Sequence, residues 1–317
     1  MIIDLNDKVW FFGENDVGQL GLGDIKNRYS PSPLHIKAKM ISLGHSHSIL
    51  IDMNDNVFSF GNNQYGQLGL GNNDNRSVPV QIQNIKAKSI SCGESHSIII
   101  DLQDNVFSFG RNFSGELGLG DVIDRNYPVQ VTLPINEENF LDEHIAVKAK
   151  SVACGGYHTM LIDLEDNLYS CGNNTYYQLG LPGNNNKLIP TPFNRKIKSV
   201  ATGGFHTIII DLEDNVWTFG YNDFGQLGLG NTDNKKEPIS VLLANKTEIK
   251  AQKIICGYLH SVIIDLENDI YVFGSSIYNQ LGLNNIEDIY VPTKVPDLKA
   301  KNMSCGVAHT ILISSKK

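Results

Sequence analysis

The chain repeats one stretch of about fifty residues six times, and this repeat constrains the fold more than any other feature. The second copy is the clearest and reads DMNDNVFSFGNNQYGQLGLG over residues 52–71. The copies begin at Asp4, Asp52, Asp101, Asp163, Asp211 and Asp265, at spacings of 48 to 62 residues. A period of this length indicates an array in which each unit packs against its neighbours. We therefore expect a single domain over residues 1–317, although the length alone suggests two.

Each unit predicts β-structure. In the third copy, the β-branched segment 97–101 precedes a polar reversal at 102–105, and residues 106–109 resume a strand, which indicates a β-hairpin. Large side chains recur two positions apart in the second strand and so share one face. These pairs are Trp10/Phe12, Phe58/Phe60, Phe107/Phe109, Tyr169/Cys171, Trp217/Phe219 and Tyr271/Phe273. A sheet with one bulky and one shallow apolar face buries both by stacking between like neighbours, as propeller blades do.

Four strands can be assigned to each unit. Two form the hairpin, one follows a proline that recurs eight residues after the glycine-rich loop, and one begins with Lys-Ala-Lys, as at residues 86–88. The chain starts inside one unit at residues 2–4 and ends inside another at residues 305–313. We therefore predict an all-β, six-bladed β-propeller of four-stranded antiparallel blades, closed by N- and C-terminal strands that share one blade.

The repeated motifs resemble those of the regulator of chromosome condensation family. They are Gly-x-x-His-(Ser/Thr), then Asp-x-x-(Asp/Asn), then Phe-x-Phe-Gly-x-Asn-x-x-Gly-Gln-Leu-Gly-Leu-Gly, and they cover nearly the whole chain. The resemblance implies a β-propeller, and for the founding member it implies guanine nucleotide exchange on a Ran-like GTPase. The family usually shows seven repeats, whereas this chain shows six.

Composition limits the classes of partner. The net charge is −8, and no cluster of lysine and arginine stands out as nucleic acid or an anionic membrane would require. Residues 1–4 lack the basic start and apolar core of a signal peptide, and no apolar run is long enough to cross a membrane. We expect an intracellular monomer, cytoplasmic or nuclear, that binds protein and neither nucleic acid nor membrane.

One histidine in each unit could suggest a ring of metal ligands. These residues are His47, His96, His158, His206, His260 and His309. Neighbouring sheets pack roughly 10 Å apart, whereas the ligands of one zinc ion lie roughly 2 Å from it, so equivalent histidines cannot share a metal. We predict that they are structural and that their ring nitrogens bond backbone groups between blades, as the resemblance also implies. No metal and no cofactor is predicted.

Three other repeated motifs have structural explanations. The Gly-x-x-Gly-x-Gly loop, as at 66–71, does not open a helix and so predicts turns rather than a phosphate site. Paired acids such as Asp101 and Asp104 fit Asx turns. The paired lysines, such as Lys86 and Lys88, fall at the same end of the unit as these acids, so we expect the charges to offset one another. No catalytic residue is predicted.

One insertion breaks the repeat. From the proline to the next lysine strand there are six or seven residues in four copies, twelve in copy five and twenty in copy three. The extra residues of copy three are 133–146, LPINEENFLDEHIA. One interpretation is a tolerated surface loop, and the other is an acidic projection with an aromatic anchor near its tip. The candidate partner-binding residues are Asn136, Glu137, Glu138, Phe140, Leu141, Asp142 and Glu143.

The sequence predicts a protein-protein interaction propeller that uses one face and this loop. The alternative, which the resemblance implies, is a guanine nucleotide exchange factor for a Ran-like or other small GTPase, with the loop as the exchange element. Such a protein would release nucleotide from its partner without making or breaking a covalent bond. Chromatin binding is disfavoured by the negative net charge.

Overall fold

The computed structural model describes residues 1–134, 144–284 and 286–314. Every regular element within these ranges is a β-strand, and none of the described residues lies in a helix. The described residues accordingly include no helix that is long and apolar enough to cross a membrane. The predicted all-β class is confirmed.

The described residues form twenty-three strands, in chain order. The first nine are β1 (Ile2–Ile3), β2 (Lys8–Gly13), β3 (Arg28–Leu43), β4 (His47–Asp52), β5 (Asn56–Gly61), β6 (Arg76–Cys92), β7 (His96–Asp101), β8 (Val106–Gly110) and β9 (Arg125–Gln130). The next seven are β10 (Thr132–Pro134), β11 (His144–Ala146), β12 (Ser151–Cys154), β13 (His158–Ile162), β14 (Asn167–Gly172), β15 (Lys187–Thr202) and β16 (His206–Asp211). The last seven are β17 (Val216–Gly220), β18 (Lys235–Ser240), β19 (Ala251–Cys256), β20 (His260–Asp265), β21 (Asp269–Gly274), β22 (Ile289–Cys305) and β23 (Thr310–Ser314).

Consecutive strands pair antiparallel in four sheets, which contain β1–β9, β10–β11, β12–β18 and β19–β23. The predicted hairpin of the third copy is β7–β8, in which Ile98 lies opposite Ser108. The long strands change partner midway. In β6, Gln81 lies opposite Phe58 of β5, whereas Ala87 lies opposite Asp101 of β7. Each long strand therefore connects two successive hairpins.

The hairpin turns account for the acidic pairs of the sequence. Asp52 Oδ1 accepts hydrogen bonds from the backbone N–H groups of Asn54 and Asn56, both at 2.8 Å, and Oδ2 accepts one from the Asn56 side chain at 2.9 Å. Asp55 has a φ of 69°, a left-handed conformation that Asp and Asn adopt more readily than other residues with a Cβ. The predicted Asx turns are therefore confirmed in this copy.

The core lies between neighbouring hairpins. Residues 49–51 of β4 are all 0% exposed, so both faces of this strand are covered. Phe60 packs edge-on against Phe11 of the preceding hairpin, with ring centroids 5.6 Å apart. The Phe60 ring also covers Gly21, where a Cβ would lie 2.8 Å from it. Stacking between successive repeats thus buries both faces, as the pattern of large and small residues predicted.

The last repeat lacks a contact that joins each of the other repeats to the next one. At five junctions a loop glycine of one repeat lies against the second large residue of the next hairpin. The sixth such glycine is Gly282, which has no heavy atom within 4 Å of its Cβ position, and Phe12 is only half-buried. In the described sheets β1 pairs with β2 and β23 pairs with β22. Closure of the ring is not visible in this pairing and stays a prediction.

Candidate functional site

Five of the six repeat histidines are buried and connect successive repeats. His47 Nε2 lies 2.9 Å from Ser97 Oγ of the next repeat, and this hydroxyl donates to the Gln67 carbonyl at 2.9 Å. The equivalent pairs are His96–Thr159, His158–Thr207, His206–Ser261 and His260–Thr310. The prediction of a backbone partner is wrong in these five repeats, because a side-chain hydroxyl lies between the ring and the carbonyl.

The hydroxyl determines which ring nitrogen carries the proton. A serine or threonine hydroxyl has one hydrogen, and here that hydrogen goes to a carbonyl, so the histidine Nε2 must be the donor. Burial lowers the pKa of His47, His96, His158 and His206 to about 3 and that of His260 to about 4. These imidazoles are therefore neutral, with the hydrogen on Nε2.

His309 of the last repeat is more exposed than its equivalents. Its pKa is lowered by partial burial and by the ammonium group of Met1. Met1 and His309 line the same cavity. Ser48, the residue that a sixth histidine would contact, donates to the Gln19 carbonyl at 2.7 Å. No group of three or more potential metal ligands occurs among residues 1–134, 144–284 and 286–314. The structural role assigned to all six histidines stays a prediction.

The repeated lysines pair with the hairpin turns, as expected. Lys198 Nζ lies 2.5 Å from Asp214 Oδ1, and the same contact recurs in three other copies. These contacts are Lys39–Asp55, Lys88–Asp104 and Lys150–Asp166. In four copies the first lysine of the pair instead bonds a turn carbonyl, as Lys86 does with Asn54 at 3.0 Å. The end of the array of six repeats that carries these turns, 52–56 and its equivalents, is called the aspartate face.

The two ends of the insertion of copy three, β10 and β11, pair antiparallel at the aspartate face. β10 and β11 pair in the register Thr132 with Ala146 and Leu133 with Ile145. Directly below, the Val147 N–H donates to the Val131 carbonyl at 2.9 Å. The candidate partner-binding residues lie outside the described residues. They are Asn136, Glu137, Glu138, Phe140, Leu141, Asp142 and Glu143.

The opposite end of the ring, called the histidine face, consists of the six Gly-x-x-His turns and the loops that follow β2, β5, β8, β14, β17 and β21. Ring contacts connect eight aromatic side chains on this face, directly or through Arg111. They are Tyr65, Phe113, Tyr157, Tyr176, Phe205, Tyr221, Phe224 and Tyr258, and together they are called the aromatic cluster. Phe205 is central, with its ring centroid 5.6 Å from that of Tyr157 and 5.8 Å from that of Tyr258.

An ion pair holds Arg111 inside this cluster. Its guanidinium carbon lies 4.8 Å from the Phe113 ring centroid and 4.4 Å from that of Tyr157, and its Nη1 lies 2.9 Å from Glu116 Oε1. In copy two the equivalent positions hold Asn62 and Gln67, whose side chains bond each other at 2.6 Å. Glu116 is fully buried, and this burial raises its pKa. Copy three has thus replaced a neutral pair with a charged one that supports the cluster.

The histidine face opens into a central cavity of about 620 Å³ that the Gly-x-x-His turns of all six repeats line. Glu94, in the Gly-x-x-His turn of copy two, is one of the residues that line it, and the end of the cavity at these turns is called its mouth. Tyr157 Oη donates to Glu94 Oε1, and Tyr258 Oη lies 3.4 Å from Glu94 Oε2. The pKa of Tyr258 is raised to about 12, mainly by burial and then by this carboxylate.

The repeat pattern does not predict the aromatic cluster, because most of these aromatic residues occupy positions at which the copies differ. The signal is present at the position before the repeat histidine. Copies one and two have Ser46 and Ser95 there, whereas copies three and four have Tyr157 and Phe205. The repeat pattern does not explain why an aromatic residue replaces serine at this turn position. This difference between the copies could have identified the aromatic cluster from the sequence.

The chain matches the family profile described as "Regulator of chromosome condensation (RCC1) repeat" six times. The matched residues are 6–51, 54–100, 103–162, 165–210, 213–264 and 267–313. A second profile for the same repeat matches residues 39–67, 87–116, 149–178 and 197–226. Together the six matches account for nearly the whole chain.

Two curated relatives are similar over part of their length. The X-linked retinitis pigmentosa GTPase regulator homolog of Caenorhabditis elegans is 37% identical over 68 residues, which are 20% of this chain and 5% of that protein. The probable E3 ubiquitin-protein ligase HERC4 of Homo sapiens is 29% identical over 189 residues, which are 59% of this chain and 13% of that protein. The chain thus matches only a small part of each relative.

Three solved structures share the fold. Human WBSCR16 is 24% identical, with a TM-score of 0.84 over 97% of this chain and 82% of that one. Yeast RCC1 (Prp20), solved bound to Kap60, is 20% identical, with a TM-score of 0.82 over 97% and 76%. Prp20p of Saccharomyces cerevisiae, studied for its binding to Gsp1p and histones, is 20% identical, with a TM-score of 0.58 over 98% and 92%.

Proposed function

We propose, because this chain belongs to the family of proteins built from the regulator of chromosome condensation (RCC1) repeat, that it is a protein-interaction β-propeller. The observation that carries this proposal is the insertion of copy three. The strands at its two ends, β10 and β11, pair antiparallel, and we infer that the segment between them projects from the repeats. A projection of this kind presents side chains to a partner without disturbing the repeats below it.

The finer architecture belongs to the same proposal. Each blade would contain the second half of one long strand, a hairpin and the first half of the next long strand, which makes four strands. Unmatched residues at the two ends support closure of the ring. Gly282 lacks the aromatic cover that Phe12 could supply, and Ser48 could accept the hydrogen bond that His309 could donate. β23 would then replace β1 beside β2.

The partner-binding residues are proposed to be those at the tip of the insertion. Phe140 and Leu141 would supply an apolar anchor, and the surrounding acids would supply a charged rim. These acids are Glu137, Glu138, Asp142 and Glu143, with Asn136 beside them. A partner with a basic rim around an apolar pocket fits this pattern best.

The test is the double variant Phe140→Ala with Leu141→Ala. Its thermal stability should change by no more than about 0.5 kcal/mol, the usual surface value. Capture of partner from an extract of the native host by the immobilised protein should weaken at least roughly tenfold. The matched control is Val122→Ala with Ile123→Ala, an exposed apolar pair in a loop of the histidine face, and this control should capture normally. Unchanged capture by the loop variant would reduce the insertion to a spacer.

A second candidate function is guanine nucleotide exchange on a small GTPase. The projecting β10–β11 hairpin favours it, because exchange factors act by placing a loop against the nucleotide site of the partner. The structural neighbour Prp20p, which was studied for its binding to Gsp1p, also supports it. Wild-type protein should then accelerate release of fluorescent GDP from at least one of a panel of Ran-like and Rab-like GTPases, and the loop variant should not. If the wild type releases nothing, the family likeness extends to the fold and not to this activity.

A further inference from the structure

The carboxylate of Glu94 is fixed in position at the mouth of the central cavity. One oxygen accepts from Tyr157 of the next repeat, and the other lies 3.4 Å from the hydroxyl of Tyr258, three repeats further along the ring. Its own backbone N–H donates to the Gly156 carbonyl at 3.3 Å. A carboxylate oxygen has two lone pairs, so each oxygen can still accept from a ligand. Glu94 therefore presents an oriented negative charge toward the cavity.

None of the described residues that line the cavity is a lysine or an arginine that could balance that charge. Arg111, which stacks on the Tyr157 and Phe113 rings, is already paired with the buried Glu116 at 2.9 Å. Among the described residues that line the cavity, the other charged groups are Glu14 and the ammonium of Met1, which lies beside His309. The Glu94 side of the mouth is thus complementary to a positively charged group.

The surroundings of Glu94 suit a flat cation. Tyr157, Phe205 and Tyr258 form a continuous set of rings beside it. Further out, Phe113 is 56% exposed and Tyr176 is 37% exposed. Exposed aromatic rings in one contiguous group are typical of binding surfaces, and their faces attract cations. The repeat does not require aromatic residues at Tyr157 and Phe205, since copies one and two have serine at the equivalent turn position.

We propose that the histidine face binds a protein segment whose arginine side chain pairs with Glu94 and stacks on the aromatic cluster. Arginine fits better than lysine because its planar guanidinium bonds a carboxylate through two parallel N–H groups and stacks on rings. Residues beside that arginine would lie over Phe113 and Tyr176. This surface lies at the opposite end of the ring from the insertion of copy three, so it is independent of the proposed loop site.

The proposal can be tested with a fluorescein-labelled ten-residue peptide of alternating arginine and leucine, with binding measured by fluorescence anisotropy. Two companion peptides replace every arginine with lysine or with citrulline, the neutral isostere. The protein variants are Glu94→Gln, which removes the charge, and Glu94→Asp, which keeps it but withdraws it by one methylene. Glu165→Gln is the matched control, since it removes one exposed carboxylate from the aspartate face.

The arginine peptide should bind wild type at least roughly tenfold more tightly than Glu94→Gln, with Glu94→Asp in between. Glu165→Gln and the Phe140/Leu141 double variant should bind like wild type, which separates this surface from the loop. The citrulline peptide should bind weakly to every protein, a comparison that does not depend on the folding of any variant. Equal binding of the arginine and citrulline peptides, or of the arginine and lysine peptides, would overturn the proposal. So would unchanged affinity of folded Glu94→Gln.

Discussion

At the scale of single residues, the buried histidines show how one side chain can connect two repeats. His206 donates from Nε2 to Ser261, and Ser261 donates onward to the Gln226 carbonyl at 2.8 Å. The imidazole is neutral, because burial makes the charged form costly and lowers the pKa of His206 to about 3. A protein held together at five junctions in this way should be sensitive to acid.

The pH dependence of stability follows from these pKa values. In the folded protein they lie near 3 or 4, below the usual value of about 6.5 in the unfolded chain. The unfolded state therefore binds more protons below about pH 6.5, so stability is complete above that pH and is lost as pH falls towards 4. Each histidine should contribute a slope of up to about 1.4 kcal/mol per pH unit. Urea unfolding between pH 7.5 and 4.5 measures this slope, and a flat profile would contradict the account.

Two substitutions distinguish the contribution of the hydrogen bond to stability from the effect of histidine protonation. His206→Ala leaves the buried Ser261 hydroxyl without its donor and should destabilise the fold by roughly 1–3 kcal/mol at pH 7.5. His206→Gln can place an amide N–H near Ser261 but cannot titrate, so it should cost less at pH 7.5. Its pH slope should also be lower by about one proton than that of wild type. If both variants melt like wild type at pH 7.5, the histidine is not structural.

At the scale of elements, the insertion of copy three is attached at one defined place. Val131 and Val147 are joined by a 2.9 Å hydrogen bond, and their equivalents in copy two, Ile82 and Ile85, are connected by Gln83 and Asn84 alone. Asn84 has a φ of 60°, as a tight turn requires. The hairpin can therefore be removed without opening the ring.

Replacing residues 132–146 by Gln-Asn should leave the melting temperature within a few degrees, because the Val131–Val147 contact remains. The same replacement should abolish partner capture. The matched control replaces residues 242–248 of copy five by Gln-Asn, since Val241 and Ile249 are the equivalent pair there. If both variants capture partner equally, the functional proposal for the insertion is wrong. Differential scanning calorimetry supplies the stability measurement.

The hairpins and turns could be predicted from sequence because their determinants are local. The polar reversal at 102–105 gives the β7–β8 turn, and the alternation of large and small residues gives the faces of β5 and β8. The serine or threonine after each histidine could not be recognised as the hydrogen-bond partner of the histidine one repeat earlier. That contact joins residues about fifty positions apart, such as His47 and Ser97, and it depends on how one repeat stacks on the next.

At the scale of the whole molecule, the repeat defines the general architecture, and departures from the repeat define the surfaces. The Arg111–Glu116 pair and all members of the aromatic cluster except Tyr65 lie in copies three to five, which differ from the others. Such features depend on side chains from several repeats that come together at the cavity mouth, as Glu94 and Tyr258 do. The sequence of a single repeat therefore cannot predict them. For the same reason, both faces are continuous surfaces only if the ring is closed.

Closure of the ring by β23 would place Ile313 at the position beside β2 that Ile3 occupies in the structure. Ile3 is opposite Val9 in the β1–β2 pair, and Ile313 occupies the equivalent position in the last repeat, as its pairing with Asn302 indicates. The two residues therefore compete for one place beside Val9. This competition makes closure measurable by a disulfide, which requires Cβ atoms roughly 3.5–4.5 Å apart.

The most direct test compares two cysteine pairs, Val9→Cys with Ile313→Cys and Val9→Cys with Ile3→Cys, under mild oxidation. The natural cysteines should not interfere, because burial raises the pKa of Cys92 and Cys305 to about 12 and so suppresses their thiolates. Closure predicts that the pair at positions 9 and 313 forms a disulfide, seen by mass spectrometry of unreduced peptides, and raises the melting temperature. A disulfide only between positions 3 and 9, with none between 9 and 313, would contradict a ring closed by its own two ends.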